Sequence, residues 1–124
     1  MTTTTSQQEL FRFLEDRFAC AQACADCALA CALGASLMDP DGPKEHDLAR
    51  RKGIQCAEAC EATCHVLSGQ PEQSERRIRA QLEWCRDVCL ECADVFDRHP
   101  GAEIAAKTSR TCAQACADFI ATLR

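Results

Sequence analysis

The sequence predicts an all-α fold, an antiparallel up-down-up-down four-helix bundle with a cysteine-lined core. Each of the 12 cysteines in this 124-residue chain stands three or four residues from another cysteine, a spacing that keeps neighbours on one helix face. The cysteines fall in four separate segments. Short Pro- and Gly-containing connections divide those segments, and short connections make consecutive helices antiparallel neighbours.

The first segment, CAQACADCALAC, carries Cys20, Cys24, Cys27 and Cys31 on a 4-3-4 spacing, and most residues between them are alanine, the best helix former. Ser6-x-x-Glu9 reads as a capping box, so the first helix is expected over 6–37. The MDPDGP turn (38–43) follows, with Pro43 placed for the first position of the next helix. The second helix, expected over 43–67, carries Cys56, Cys60 and Cys64. Ser68, Gly69, Gln70 and Pro71 close it. The third, expected over 72–98, carries Cys85, Cys89 and Cys92. His99, Pro100 and Gly101 form the last turn, and the fourth helix, expected over 101–123, carries Cys112 and Cys116. The whole chain, 1–124, reads as one domain, with no strand candidate.

Antiparallel packing puts the MDPDGP and His99–Pro100 turns at one end, here called the top. At about 1.5 Å per residue, Cys31 and Cys92 lie roughly 9 Å below it and Cys64 roughly 30 Å below. Four stripes of thiols therefore collect into one column. Beneath it, Leu10, Phe11, Phe13, Leu14, Phe18, Leu67, Ile78, Leu82, Phe119, Ile120 and Leu123 are expected to form an ordinary apolar core that closes the bottom.

The net charge of −5 argues against a nucleic-acid partner. No run approaches 18 apolar residues, so no membrane span is expected. MTTTTSQQEL has no basic region, apolar run or twin arginine, and the protein is expected in the cytoplasm. Thiols are kept reduced there, which favours metal binding over disulfides. Two cysteines at i, i+4 have Cβ atoms roughly 5–6 Å apart, whereas a disulfide wants roughly 3.5–4.5 Å. Disulfides across helices stay open.

Thiolates are soft ligands for Cu(I), Zn(II) and iron–sulfur clusters. Zinc wants closed tetrahedral sites, and here CxxC occurs only inside helices, as Cys24–Cys27 and Cys89–Cys92. Iron–sulfur clusters usually take thiolates from a loop that wraps them. A column of paired thiols suits Cu(I), which accepts two or three bridging sulfurs, and one Cu⁺ per thiolate leaves the core neutral. One or two buried cysteines would read as small hydrophobes; 12 in phase do not. The expectation is several Cu(I) ions per chain, comparable in number to the thiols.

Met38, His46 and His99 extend the stripes towards the top. His99 lies about 20° round the helix from Cys92, Met38 about 20° from Cys31, and His46 about 80° from Cys56. Imidazole and thioether both bind Cu(I), so these three are candidate ligands at an entrance; helix capping by His99 and gap filling by Met38 are the alternatives. His65 points away from the stripe, and Trp84 flanks it.

CAQACADCALAC, CAEACEATCH, CRDVCLEC and CAQAC together resemble the thiol-lined helices of the bacterial cytosolic copper storage proteins, over roughly residues 6–124. The resemblance implies a four-helix bundle, a homotetramer, and many Cu(I) ions held inside each bundle by cysteine thiolates. The matching positions are the 12 cysteines. The expected function is non-enzymatic copper storage and detoxification, with a copper chaperone or efflux protein as the partner that loads or unloads it. An iron–sulfur electron-transfer protein and a zinc buffer are the rivals. A thiol-redox enzyme fits less well, because it would want a single low-pKa cysteine.

Overall fold

The computed structural model describes residues 2–69 and 74–123. These form four helices: α1 (Thr2–Ser36), α2 (Lys44–Ser68), α3 (Glu75–Phe96) and α4 (Glu103–Thr122). The principal helix contacts are α1 with α2, α2 with α3, α3 with α4, and α4 with α1, which closes the ring. The chain is an all-α four-helix bundle with up-down-up-down order.

The helix ends refine the sequence reading. α1 starts at Thr2, so Ser6 lies within the helix instead of opening it. Adding a turn to an existing helix is cheap, since the nucleation cost has already been met. Pro43 is the N-cap of α2, and Lys44 is its first helical residue. The start expected for the third helix, Glu72, lies outside the described residues, as do Gln70 and Pro71. The described helix begins at Glu75 behind Ser74, whose Oγ accepts the Arg77 N–H at 3.3 Å. Asp97 caps the end of α3, so His99 stands in the turn. Gly101 takes φ +94°, a left-handed conformation that glycine adopts without steric cost. Glu103 then accepts the Gly101 N–H, and α4 begins there and not at Gly101.

The core has two parts. Cysteines line the middle and upper interior. Below them, Leu67, Ile78, Leu82, Phe119 and Leu123 are buried, and Phe13 packs its ring 5.5 Å from that of Phe119. Leu10, Phe11 and Phe18 do not belong to this plug; they are 61%, 66% and 52% exposed. They lie on the outer face of α1, and apolar character alone does not bury a side chain. Arg17 sits where the plug meets α2. It is 5% exposed, with Nε donating to the Leu67 carbonyl at 2.7 Å and Nη2 to the Val66 carbonyl at 3.3 Å. The buried guanidinium thus caps the C-terminus of α2, where a cation also complements the helix dipole.

Within α1, Ser6–Ser36 contains an 18-residue window that is long and apolar enough, by length and composition, to cross a membrane, with a mean hydropathy of 1.5. This corrects the expectation that no segment reaches that threshold. The apolarity comes from alanine and cysteine, and the cysteine face is a wall of the bundle interior.

Candidate metal centre

The stripes meet as a ladder of sulfur. All 12 cysteines are free thiols, and all are buried except Cys64, which is half-buried. Four groups each keep their sulfurs within 4.8 Å of one another. Uppermost is Cys31, Cys56 and Cys92. Next comes Cys27, Cys56, Cys60 and Cys89, then Cys60, Cys85, Cys89 and Cys112, then Cys24, Cys85, Cys112 and Cys116. Successive groups share Cys56, then Cys60 and Cys89, then Cys85 and Cys112, so no group is isolated. Individual contacts include Cys60–Cys89 at 3.5 Å, Cys56–Cys89 at 3.7 Å, Cys24–Cys112 at 3.7 Å and Cys31–Cys92 at 3.8 Å. Cys20 extends the ladder downward through hydrogen bonds with Cys116 and Cys24.

Cys64 takes no part in these groups; its Sγ lies 3.9 Å from Ser68 Oγ. A run of four-residue steps drifts round a helix by about 40° each time, so the third cysteine leaves the inward line by about 80°. Thr63 takes that inward position instead. Its Oγ1 donates to the Ala59 carbonyl at 2.8 Å and accepts from Gln81 Nε2 at 2.9 Å.

Protons in the ladder are shared unevenly. Hydrogen bonding from Cys112, then from other neighbouring thiols, holds Cys27 and Cys85 well below the ordinary thiol range, against the effect of burial. Cys24 and Cys60 are pushed well above it, first by their hydrogen bonds to Cys112. Cys20 is lowered to about 4, by Cys116 first and Cys24 second. Without cations the column cannot ionise throughout, because adjacent thiolates at these separations repel strongly in a low-dielectric interior. A monovalent soft cation that replaces each displaced proton removes that repulsion.

At the top, Met38 and His99 are buried and His46 is half-buried. The imidazoles of His46 and His99 meet edge to face with centroids 5.1 Å apart. His46 Nδ1 is buried with no hydrogen-bond partner among the described residues. Both rings and Met38 line a cavity of about 310 Å³ with Leu37, Pro100 and Gly101. The structure therefore brings the three upper candidates together.

Between this cavity and the sulfur ladder stands Phe96, only 1% exposed. It is one turn above Cys92 on α3, at the level of Gly34 and Gly53. Sequence reasoning passed over Phe96 and the buried Ser109. Helical phase could have found both, since Phe96 follows Cys92 by four residues and Ser109 precedes Cys112 by three. His65 and Trp84 are exposed.

The sequence profile of a family described as copper storage protein matches residues 6–121. Among solved structures, the chain is similar to a cytosolic copper storage protein from Streptomyces lividans described as holding five coppers. Identity is 33%, the TM-score is 0.82, and the match covers 90% of this chain and 98% of that one. A structure of the Streptomyces lividans protein loaded with 10 copper equivalents is 36% identical, with TM-score 0.60 and coverage of 90% and 83%. A histidine-to-alanine variant of it is 34% identical, with TM-score 0.59 and coverage of 93% and 94%. No curated protein matches the chain.

Proposed function

The chain belongs to the copper storage protein family, and from that premise we propose that its ladder of buried cysteines stores multiple Cu(I) ions, loaded and unloaded through the Met38–His46–His99 mouth. The observation that carries this reading is the sharing of sulfurs between successive groups. Each shared cysteine can bridge two metals, so the groups act as one continuous store and not as separate sites. The ligands are Cys20, Cys24, Cys27, Cys31, Cys56, Cys60, Cys85, Cys89, Cys92, Cys112 and Cys116. Cys64 is a peripheral thiol, in keeping with its half-buried place outside the groups.

Ligation and thiol exchange are the whole of the chemistry, with no bond made or broken in a substrate. An incoming ion meets soft donors at the mouth, then passes the Phe96 ring and reaches Cys31 and Cys92. The apolar lower end offers no ligands, and close-packed helices resist passage between them. The protein works in the cytoplasm, the setting named for its Streptomyces lividans relative, where a copper chaperone or efflux protein exchanges metal with the mouth.

Association into a homo-oligomer is part of this reading. Leu29 and Leu33 of α1 and Leu37 just past its end are exposed at four-residue steps and, with the exposed Ile104 of α4, line a groove of about 380 Å³. A contiguous exposed apolar strip of this kind marks an interface, and a second copy of the chain is its occupant. Light scattering of the purified protein tests this: an oligomer that Leu33→Glu reduces to monomers is expected, and a monomeric wild type contradicts it.

Stopped-flow uptake from a coloured Cu(I) chelate tests the mouth. Changing His46 and His99 together to Phe should slow uptake and removal while capacity falls by no more than a few ions. Unchanged rates in the folded double variant would put the mouth elsewhere.

A further inference from the structure

Four hydroxyls inside the helices bond to their own backbone in the same way. Ser36, Thr63, Thr108 and Thr111 each donate to the carbonyl four residues back, at 2.9, 2.8, 2.7 and 3.1 Å, the usual local bond for such residues in a helix. Ser109, in the middle of α4, departs from it. Its Oγ stands 3.2 Å from Cys31 Sγ and 3.7 Å from Cys27 Sγ. The residue is 0% exposed. It precedes Cys112 by three residues and Cys116 by seven, which makes it the next inward position up the α4 stripe. An oxygen therefore stands where the repeat would set a sulfur.

The substitution falls at a particular level. Of the four sulfur groups, the two lower ones include Cys112 of α4, whereas the two upper ones have no α4 sulfur. The uppermost, Cys31, Cys56 and Cys92, holds three sulfurs and lies nearest the mouth. A neutral alcohol oxygen is a hard donor that suits magnesium or calcium better than Cu(I). It can donate its proton to a sulfur, as the short contact with Cys31 allows.

We propose that Ser109 sets how readily copper exchanges: it withholds a fourth sulfur from the uppermost site and orients Cys31 by a hydrogen bond. The ion held by Cys31, Cys56 and Cys92 is then the first to leave the loaded store. This rests on the copper-storage reading above and adds which ions are exchangeable and why.

The test uses the full chain, loaded anaerobically with Cu(I), and follows removal by excess chromophoric chelator. Wild type should release about one ion per chain in a fast phase, one for a three-thiolate site, with the remainder slower. Ser109→Cys should slow that phase by about tenfold or more, since ligand gains act mainly on dissociation, with capacity kept or raised. Ser109→Ala keeps three sulfurs, so its fast phase should persist and run faster, because Cys31 has lost its partner. A folded Ser109→Cys protein that releases its first ion at the wild-type rate would overturn the proposal, as would single-phase release from wild type. If Ser109→Cys does not fold, Ser109→Ala decides: a rate equal to or below wild type contradicts the orienting bond. A filler residue would change melting in both variants and leave both phases alone. Wild type that holds only an ion or two would instead refute the storage reading itself, a separate outcome visible before any variant is compared.

Discussion

The Phe96 ring occupies the space that a side chain at Gly53 would need. A Cβ there would lie 2.8 Å from Phe96 Cζ and 3.1 Å from both Ala35 Cβ and the Cys31 carbonyl oxygen. Glycine on α2 thus lets a buried phenyl ring cross the bundle between the Met38–His46–His99 cavity and the first thiols.

Gly53→Ala should therefore destabilise the metal-free protein. Overpacking costs about 1–3 kcal/mol, and alanine recovers about 1 kcal/mol of helix propensity. The net loss should be on the order of 1 kcal/mol, read as a fall of a few degrees in thermal midpoint. In a Phe96→Leu background the penalty should shrink or change sign, because the ring tip has gone. Equal penalties in both backgrounds would mean that the two residues are not coupled. Phe96→Leu alone should also speed Cu(I) uptake in stopped flow, by opening the layer below His46 and His99.

Arg17 is the polar keystone of the lower end. Removing it strands the Leu67 carbonyl in a buried setting and the Val66 carbonyl in a part-buried one. Arg17→Ala should cost about 2 kcal/mol, with Arg17→Lys between it and wild type, because one ammonium lacks the planar fork that reaches both oxygens. Denaturant melts measure the cost, and copper capacity should be unaffected. A melt that matches wild type would show that water replaces the guanidinium.

Cys60 and Cys64 are four residues apart and should differ sharply. Cys60 belongs to two of the sulfur groups, whereas Cys64 belongs to none. Cys64→Ser should leave Cu(I) capacity unchanged, and Cys60→Ser should lower it by at least one ion per chain. Metal analysis after gel filtration decides this; equal losses would mean that Cys64 is a ligand after all.

Copper and protons compete for the same sulfurs. Cys24 and Cys60 are pushed above the ordinary thiol range by their hydrogen bonds to Cys112, so they carry protons at neutral pH and must lose them to bind metal. Loading should acidify a weakly buffered solution. Affinity should fall as pH is lowered, because protonation then opposes ligation more strongly. A chelator-competition affinity that stays constant from neutral to mildly acidic pH would contradict this.

Much of the fold was legible because cysteine at three- and four-residue steps fixes both helix and inward face. The gathering of Met38, His46 and His99 was legible too, because the turns that carry or adjoin them lie at one end of an antiparallel bundle, although Met38 and His99 stand past the ends of α1 and α3 and not on their helical stripes. The place of Cys64 outside the sulfur groups was not legible, because spacing from one neighbour ignores the drift that accumulates over two four-residue steps. Thr63 and Ser109 were missed because a hydroxyl does not announce itself among thiols. Leu10, Phe11 and Phe18 looked like core residues, but α1 is apolar round much of its circumference and only its packing partners decide which side is buried. Phe96 went unnoticed because its importance depends on two glycines distant in sequence, Gly34 and Gly53.

Anaerobic titration of the reduced protein with Cu(I), followed by metal and protein quantification, tests the central claim most directly. A ladder of shared sulfurs should take up on the order of 10 ions per chain, since each thiolate can bridge two metals. Saturation at one or two ions per chain would show that the thiols form separate sites and not one store.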